Sequence, residues 1–194
     1  MSEMLDYDVG LSYRSEFSDD SINEFIKLMS SSSLRLAVEE RKEIGVYAGY
    51  EWLMPTAVIV FIFKSYFDGF LNEMGKEHYH LLKNSLKSLT RRLFRPSGPR
   101  AMIVTSGKIN KHDEYSFVYS VMADVGGNKK VKLLMQQDVS QQECDEIIES
   151  FIDFINNLYN RTADFKILDE LEKGRGILLV AFNRKTKTIE RVVM

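Results

Sequence analysis

The sequence predicts an α+β fold, and three observations carry that prediction. The chain opens on a β-α-β pattern, continues into two long helical stretches, and closes on strand-like runs interrupted by one amphipathic helix. No segment repeats, and the only low-complexity tract is the serine run at 30–33.

Each element rests on its spacing. Tyr7 to Tyr13 alternates loosely and reads as a first strand. Ser21-Ile22-Asn23-Glu24 has the form of a capping box, with Ile22, Phe25, Ile26 and Met29 at helical spacing behind it. That helix is expected to end in the serines. Leu34 to Val38 alternates again, which completes an N-terminal βαβ unit.

The run from Trp52 through Pro55 to Phe63 is almost wholly apolar and predicts a central helix over 52–74. Pro55 suits a first helical position, and Gly75 suits the cap after a last turn. The unbroken apolar part, about 12 residues, is short of the ~20 needed to span a bilayer. Lys64 and Asp68 interrupt the second half of the segment and stand at i and i+4, where they can pair. A helix in a core shared by the whole chain is therefore expected. Lipid contact and an oligomer interface are the alternatives, and Tyr66, Phe67 and Phe70 are the candidate interface residues because they extend the apolar surface.

A second helix is expected over about 76–94, where Tyr79, Leu82, Leu86, Leu89 and Leu93 form one stripe. Arg95-Pro96-Ser97-Gly98-Pro99-Arg100 is the clearest break and divides residues 1–94 from a strand-rich lobe at 101–194, with one core between them. In that lobe Ala101 to Thr105 reads as a strand. Tyr115 to Val125 and Lys130 to Met135 read as a hairpin turning at Gly126-Gly127-Asn128. Ser140-Gln141-Gln142-Glu143 is a second capping box. Behind it Cys144, Ile147, Ile148, Phe151, Ile152, Ile155, Leu158 and Tyr159 share one side of a helix. Gly176 to Phe182 reads as a buried strand, with Ile189 to Val193 as its hairpin partner.

Composition narrows the function classes. The chain has 194 residues, 44% hydrophobic and 28% charged, which excludes wholesale disorder. A net charge of −2 favours neither nucleic acid nor an anionic membrane. One cysteine, Cys144, excludes an internal disulfide and a zinc site built on several thiols. The acidic opening Met1-Ser2-Glu3 lacks a signal-peptide pattern, so a reducing, cytoplasmic setting is expected.

No motif supplies convincing chemistry. His78 and His80 sit two apart, about 200° around a helix, so their rings diverge. His112 stands alone beside Asp113 and Glu114. Cys144 falls on an apolar stripe, where a thiol is core. Phosphate-binding glycine loops are missing, and Gly174-Arg175-Gly176 precedes a strand rather than a helix. No cofactor or metal is implied. The one basic concentration is Arg91, Arg92, Arg95 and Arg100, with Lys87 and Lys83 one and two turns earlier. Those arginines are the candidate anion-binding residues, although cations are also favoured at any helix C-terminus.

The stretch Lys64-Ser65-Tyr66-Phe67-Asp68-Gly69-Phe70-Leu71-Asn72-Glu73-Met74-Gly75-Lys76-Glu77-His78-Tyr79, with Leu81-Leu82-Lys83, resembles a segment of a family of small uncharacterised bacterial proteins. The closing run 176–193 is similar to their last hairpin. The resemblance covers about half of the chain. It implies a bacterial cytosolic protein and carries over no functional residue.

The expected function is a non-catalytic interaction or regulatory protein within an assembly, by self-association or with a protein partner. An enzyme acting on nucleic acid or nucleotides is the second reading. A membrane-active effector of bacterial immunity, using the segment 52–74, is the third.

Overall fold

The computed structural model describes residues 7–42, 56–68, 74–99, 104–105, 108–109, 114–126, 129–160 and 176–192. A seven-stranded mixed sheet organises them, in the order β2-β1-β3-β6-β7-β8-β9. Its strands are β1 (Val9–Arg14), β2 (Leu36–Arg41), β3 (Val58–Ile62), β6 (Tyr115–Gly126), β7 (Lys129–Gln136), β8 (Ile177–Asn183) and β9 (Thr188–Arg191). The two-residue strands β4 (Val104–Thr105) and β5 (Lys108–Ile109) pair separately. The helices among the described residues are α1 (Asp20–Ser30), α2 (Lys64–Asp68), α3 (Met74–Leu93) and α4 (Gln141–Tyr159).

The topology uses one device three times. The parallel neighbours β1 and β2 are joined through α1, β3 and β6 through α2 and α3, and β7 and β8 through α4. Antiparallel contacts then stitch these units together and add β9 at the edge. The α+β class and the opening βαβ unit stand as expected from sequence.

The apolar segment does not form the expected helix. Val58-Ile59-Val60-Phe61-Ile62 is strand β3, with β1 on one side and β6 on the other. Three of its five residues are Val or Ile at alternate positions facing the helices, and Ile59 is buried on the opposite side. A strand covered on both faces reads as a continuous apolar run, which periodicity cannot separate from a buried helix. The β-branched content favours the strand. Gly75 accordingly lies in the first turn of α3 instead of capping an earlier helix. Residues 52–55 and 69–73 lie outside the described residues. No helix among the described residues is long and apolar enough to cross a membrane.

The helix α3 lies between α1 and α4. Leu82, Leu86, Leu89 and Leu93 of α3 pack in one core with Ile22, Phe25 and Met29 of α1 and the apolar stripe of α4. The strand residues in that core form cross-strand rows, such as Leu11, Val60, Val121, Leu133 and Val180. The next row, on the opposite face, runs Gly10, Phe61, Met122, Lys132 and Leu179. Gly10 leaves room for the Phe63 ring there, because a Cβ would stand 3.0 Å from it and the ring would have to give way.

Local signals explain most boundaries. Asp19, rather than Ser21, caps α1: its carboxylate accepts from the backbone N–H of Ser21 and Ile22 at 2.9 and 3.2 Å. Ser21 is instead a buried first-turn residue. The second capping box forms as expected, with Ser140 and Glu143 exchanging bonds at 2.9 and 3.2 Å. At the β6–β7 turn Gly126 adopts φ +88°, a left-handed conformation suited to glycine.

Candidate interaction surface

The basic concentration at the end of α3 is largely consumed inside the protein. Antiparallel α4 presents Asp145, Glu149 and Asp153 at successive i, i+4 positions, and α3 presents Tyr79, Lys83, Lys87 and Arg91 in the same spacing. The Tyr79 hydroxyl donates to Asp153, Lys83 and Lys87 both bond Glu149, and Arg91 bonds Asp145 through two nitrogens. The Lys87 contact is 2.9 Å and the Arg91 Nε contact 2.6 Å. Arg92 turns the other way and pairs with Glu24 of α1. These hydrogen bonds hold the Glu149 carboxyl below its usual range, Lys83 contributing most. Of the four candidate anion-binding arginines, Arg91 and Arg92 thus fasten α3 to its neighbours. Arg95 is exposed and holds no ion pair among the described residues. Arg100 lies outside the described residues.

The aromatic candidates are also internal. Tyr66 and Phe67 are only 5% and 4% exposed and belong to the monomer core. Phe67 stacks on Tyr159 at 5.0 Å between centroids and meets Tyr66 edge-on at 5.3 Å. They therefore present almost no surface to a partner, which corrects their reading as interface residues. The cause is the α2 turn after β3, which carries the Phe67 ring onto the end of α4. Phe70 lies outside the described residues. Lys64 and Asp68 do pair, at 2.6 Å, and Asp68 also accepts the Tyr159 hydroxyl.

The other reactive side chains have structural settings. Cys144 is fully buried, and desolvation pushes its thiol up to about 12, helped by the nearby Asp145 and Glu143 charges. His78 Nε2 shares a 2.6 Å hydrogen bond with the Ser33 hydroxyl, tying the α1–β2 turn to α3. This is the reach of a nucleophile–base pair, but among the described residues no carboxylate orients the second ring nitrogen. His80 packs edge-on against Tyr79. His112 lies outside the described residues, and the described residues hold no group of three or more metal-ligating side chains.

Two features escaped sequence reasoning. Lys132 is only 3% exposed, in an apolar row between Met122 and Leu179. Its place in the alternation Lys130-Val131-Lys132-Leu133 reads as a solvent face, and only burial of the sheet on both sides makes it internal. The second feature is the edge of β2. Val38 is 45% exposed and Tyr7 38%, the exposed large hydrophobic residues of the described chain.

Edge geometry gives Val38 its meaning. Val9 donates to Arg35 O, and Val9 lies opposite Leu36 in a parallel ladder. Arg35, Ala37, Glu39 and Arg41 therefore turn their backbone groups toward β1. Leu36, Val38 and Glu40 turn theirs outward, where no described strand pairs with them. The outer strand at the other side, β9, is shorter, and Ile189 is tucked under α4. Exposed edges are normally blunted by charge, and Glu39, Glu40 and Arg41 do this for only the second half of β2. Its first half, Leu36-Ala37-Val38, is apolar.

Compared with known protein families, with curated proteins and with solved structures, the chain matches none.

Proposed function

We propose that the chain is a non-catalytic interaction or regulatory protein acting within a bacterial cytosolic assembly, and that a protein partner docks by adding a strand to β2. The observation that carries this reading is an apolar half-strand, its outward backbone groups facing no described strand, with Val38 45% exposed at the edge of the described sheet. Strand addition draws affinity from main-chain hydrogen bonds and specificity from alternate side chains. The fold supplies a firm platform for it, since β1 holds β2 along its whole length. Asp8 clamps its base by accepting from the Arg35 backbone N–H at 2.9 Å and from the Arg35 guanidinium at 3.0 and 3.2 Å. Burial alone would raise the Asp8 carboxyl, and those bonds outweigh it and hold the group below its usual range. The cytosolic setting rests on the resemblance to small bacterial proteins and on the single cysteine, which allows no internal disulfide.

The test is affinity capture of the tagged chain from the cells that make it, beside a Val38→Lys variant. A stoichiometric protein that accompanies the wild type and is lost from the variant, with unfolding free energies equal within ~0.5 kcal/mol, is the expected result. Equal recovery of every component by both chains, together with unchanged self-association of the variant, refutes docking at β2.

A further inference from the structure

Resting on the strand-addition reading, we infer that the added strand is β2 of a second copy, antiparallel, with Ala37 on the two-fold axis. Pairing rules narrow the register. Outward-facing residues hydrogen-bond only to outward-facing residues, so Leu36, Val38 and Glu40 must meet members of the same set. The axis therefore passes through a residue, never between two.

Side-chain chemistry then selects one residue. With Ala37 on the axis, Leu36 lies opposite Val38 of the second copy, on the helix-bearing face. On the other face Arg35 lies opposite Glu39, and the small Ala37 side chains meet at the centre. Opposite charges and aliphatic pairs directly across a ladder both stabilise it. Centring on Leu36 sets Arg35 against Ala37 and brings no opposite charges together. Centring on Val38 sets Arg35 against Arg41 and Ala37 against Glu39. Centring on Glu39 or Glu40 sets a glutamate against itself. Like charges directly opposite are unfavourable. The charged end of β2 thus acts as a register selector, penalising each alternative that slides toward it.

The groups needed are present. Glu39 receives the Ser12 hydroxyl on Oε2 at 2.8 Å, which leaves Oε1 for the Arg35 of the second copy. The Arg35 side chain is 48% exposed while it holds Asp8. A strand pair is a small contact beside the ~1,200 Å² at which stable interfaces begin, so the dimer is concentration-dependent.

The register can be read by cysteine cross-linking. Residues facing each other as a non-hydrogen-bonded pair have Cα atoms ~4.5 Å apart, within disulfide range. Ala37→Cys and Val38→Cys are each oxidised mildly and run on a non-reducing gel, the native Cys144 being buried. Sedimentation of the wild type, Val38→Lys and Glu39→Arg is followed over a concentration series. The expected result is a covalent dimer from Ala37→Cys at ~10-fold the yield of Val38→Cys. The wild-type mass should rise from 22.5 kDa toward about double that value, and both charge variants should remain monomeric. Preferential cross-linking of Val38→Cys overturns the register. A wild type that stays monomeric, with no cross-link from either cysteine, overturns self-pairing. In that case a captured protein that Val38→Lys loses leaves strand addition standing with a different occupant, and unchanged capture removes both.

Discussion

Replacing Glu149 by Gln tests whether the basic residues of α3 are fasteners. In the wild type its carboxylate receives both Lys83 and Lys87, whose side chains are only 13% and 17% exposed. A charge-assisted hydrogen bond contributes ~1.5–3 kcal/mol when desolvated. The Glu149 side chain is 47% exposed, so solvent screening brings each contact down to ~1 kcal/mol. The substitution should then cost about 2 kcal/mol, a fall in Tm of ~6 °C for a chain of this size. The sign of the pH dependence comes from the lowered carboxyl pKa. A group whose folded value lies below its usual 4.5 stabilises the protein above that value and loses the contribution as pH falls through the folded value. The gap between wild type and variant should therefore be full at pH 7 and close in acid. Urea unfolding at several pH values measures it. A gap below ~0.5 kcal/mol at pH 7, or one that persists in acid, would refute the fastening argument.

Other perturbations have equally definite outcomes. Gly98→Ala places a Cβ 2.5 Å from the Leu93 carbonyl oxygen and 2.9 Å from that of Arg95, both backbone atoms. It should cost ~1–3 kcal/mol, and an unchanged urea midpoint would contradict it. Asp19→Ala removes the cap of α1 and should cost ~1 kcal/mol; no loss of stability would show that Asp19 is not the cap. Cys144, its thiol pushed up to about 12 and buried, should resist a thiol reagent at pH 8 until urea unfolds the chain. Rapid labelling of the native protein would show that the α4 stripe is open.

Sequence legibility tracked the range of the determining interaction. The hairpin β6–β7, the capping box of α4 and the stripe of α3 are set by residues within a few positions of each other, and all appear where their spacing puts them. The segment at 58–62 departs from its expected helix because its environment is remote. Val58 to Ile62 become a strand through β1 and β6, and neither partner is visible from the run itself. The same holds for Lys132, whose alternation is local and whose burial is not.

The cation cluster shows where a longer-range signal was present. Tyr79, Lys83, Lys87 and Arg91 repeat every four residues, and Asp145, Glu149 and Asp153 repeat with the same spacing on another helix. Two amphipathic helices with complementary i, i+4 ladders satisfy each other most fully by lying antiparallel, and that packing is observed. A basic stripe with an acidic counterpart elsewhere in the chain is thus weak evidence for an external anion, whatever its local density. Charge neutralised this way is less available for recognition, which directs the search to surfaces whose hydrogen-bonding capacity stays open. Among the described residues the apolar half of β2 meets that condition, because its outward backbone groups face no described strand while its side chains remain exposed or half-buried.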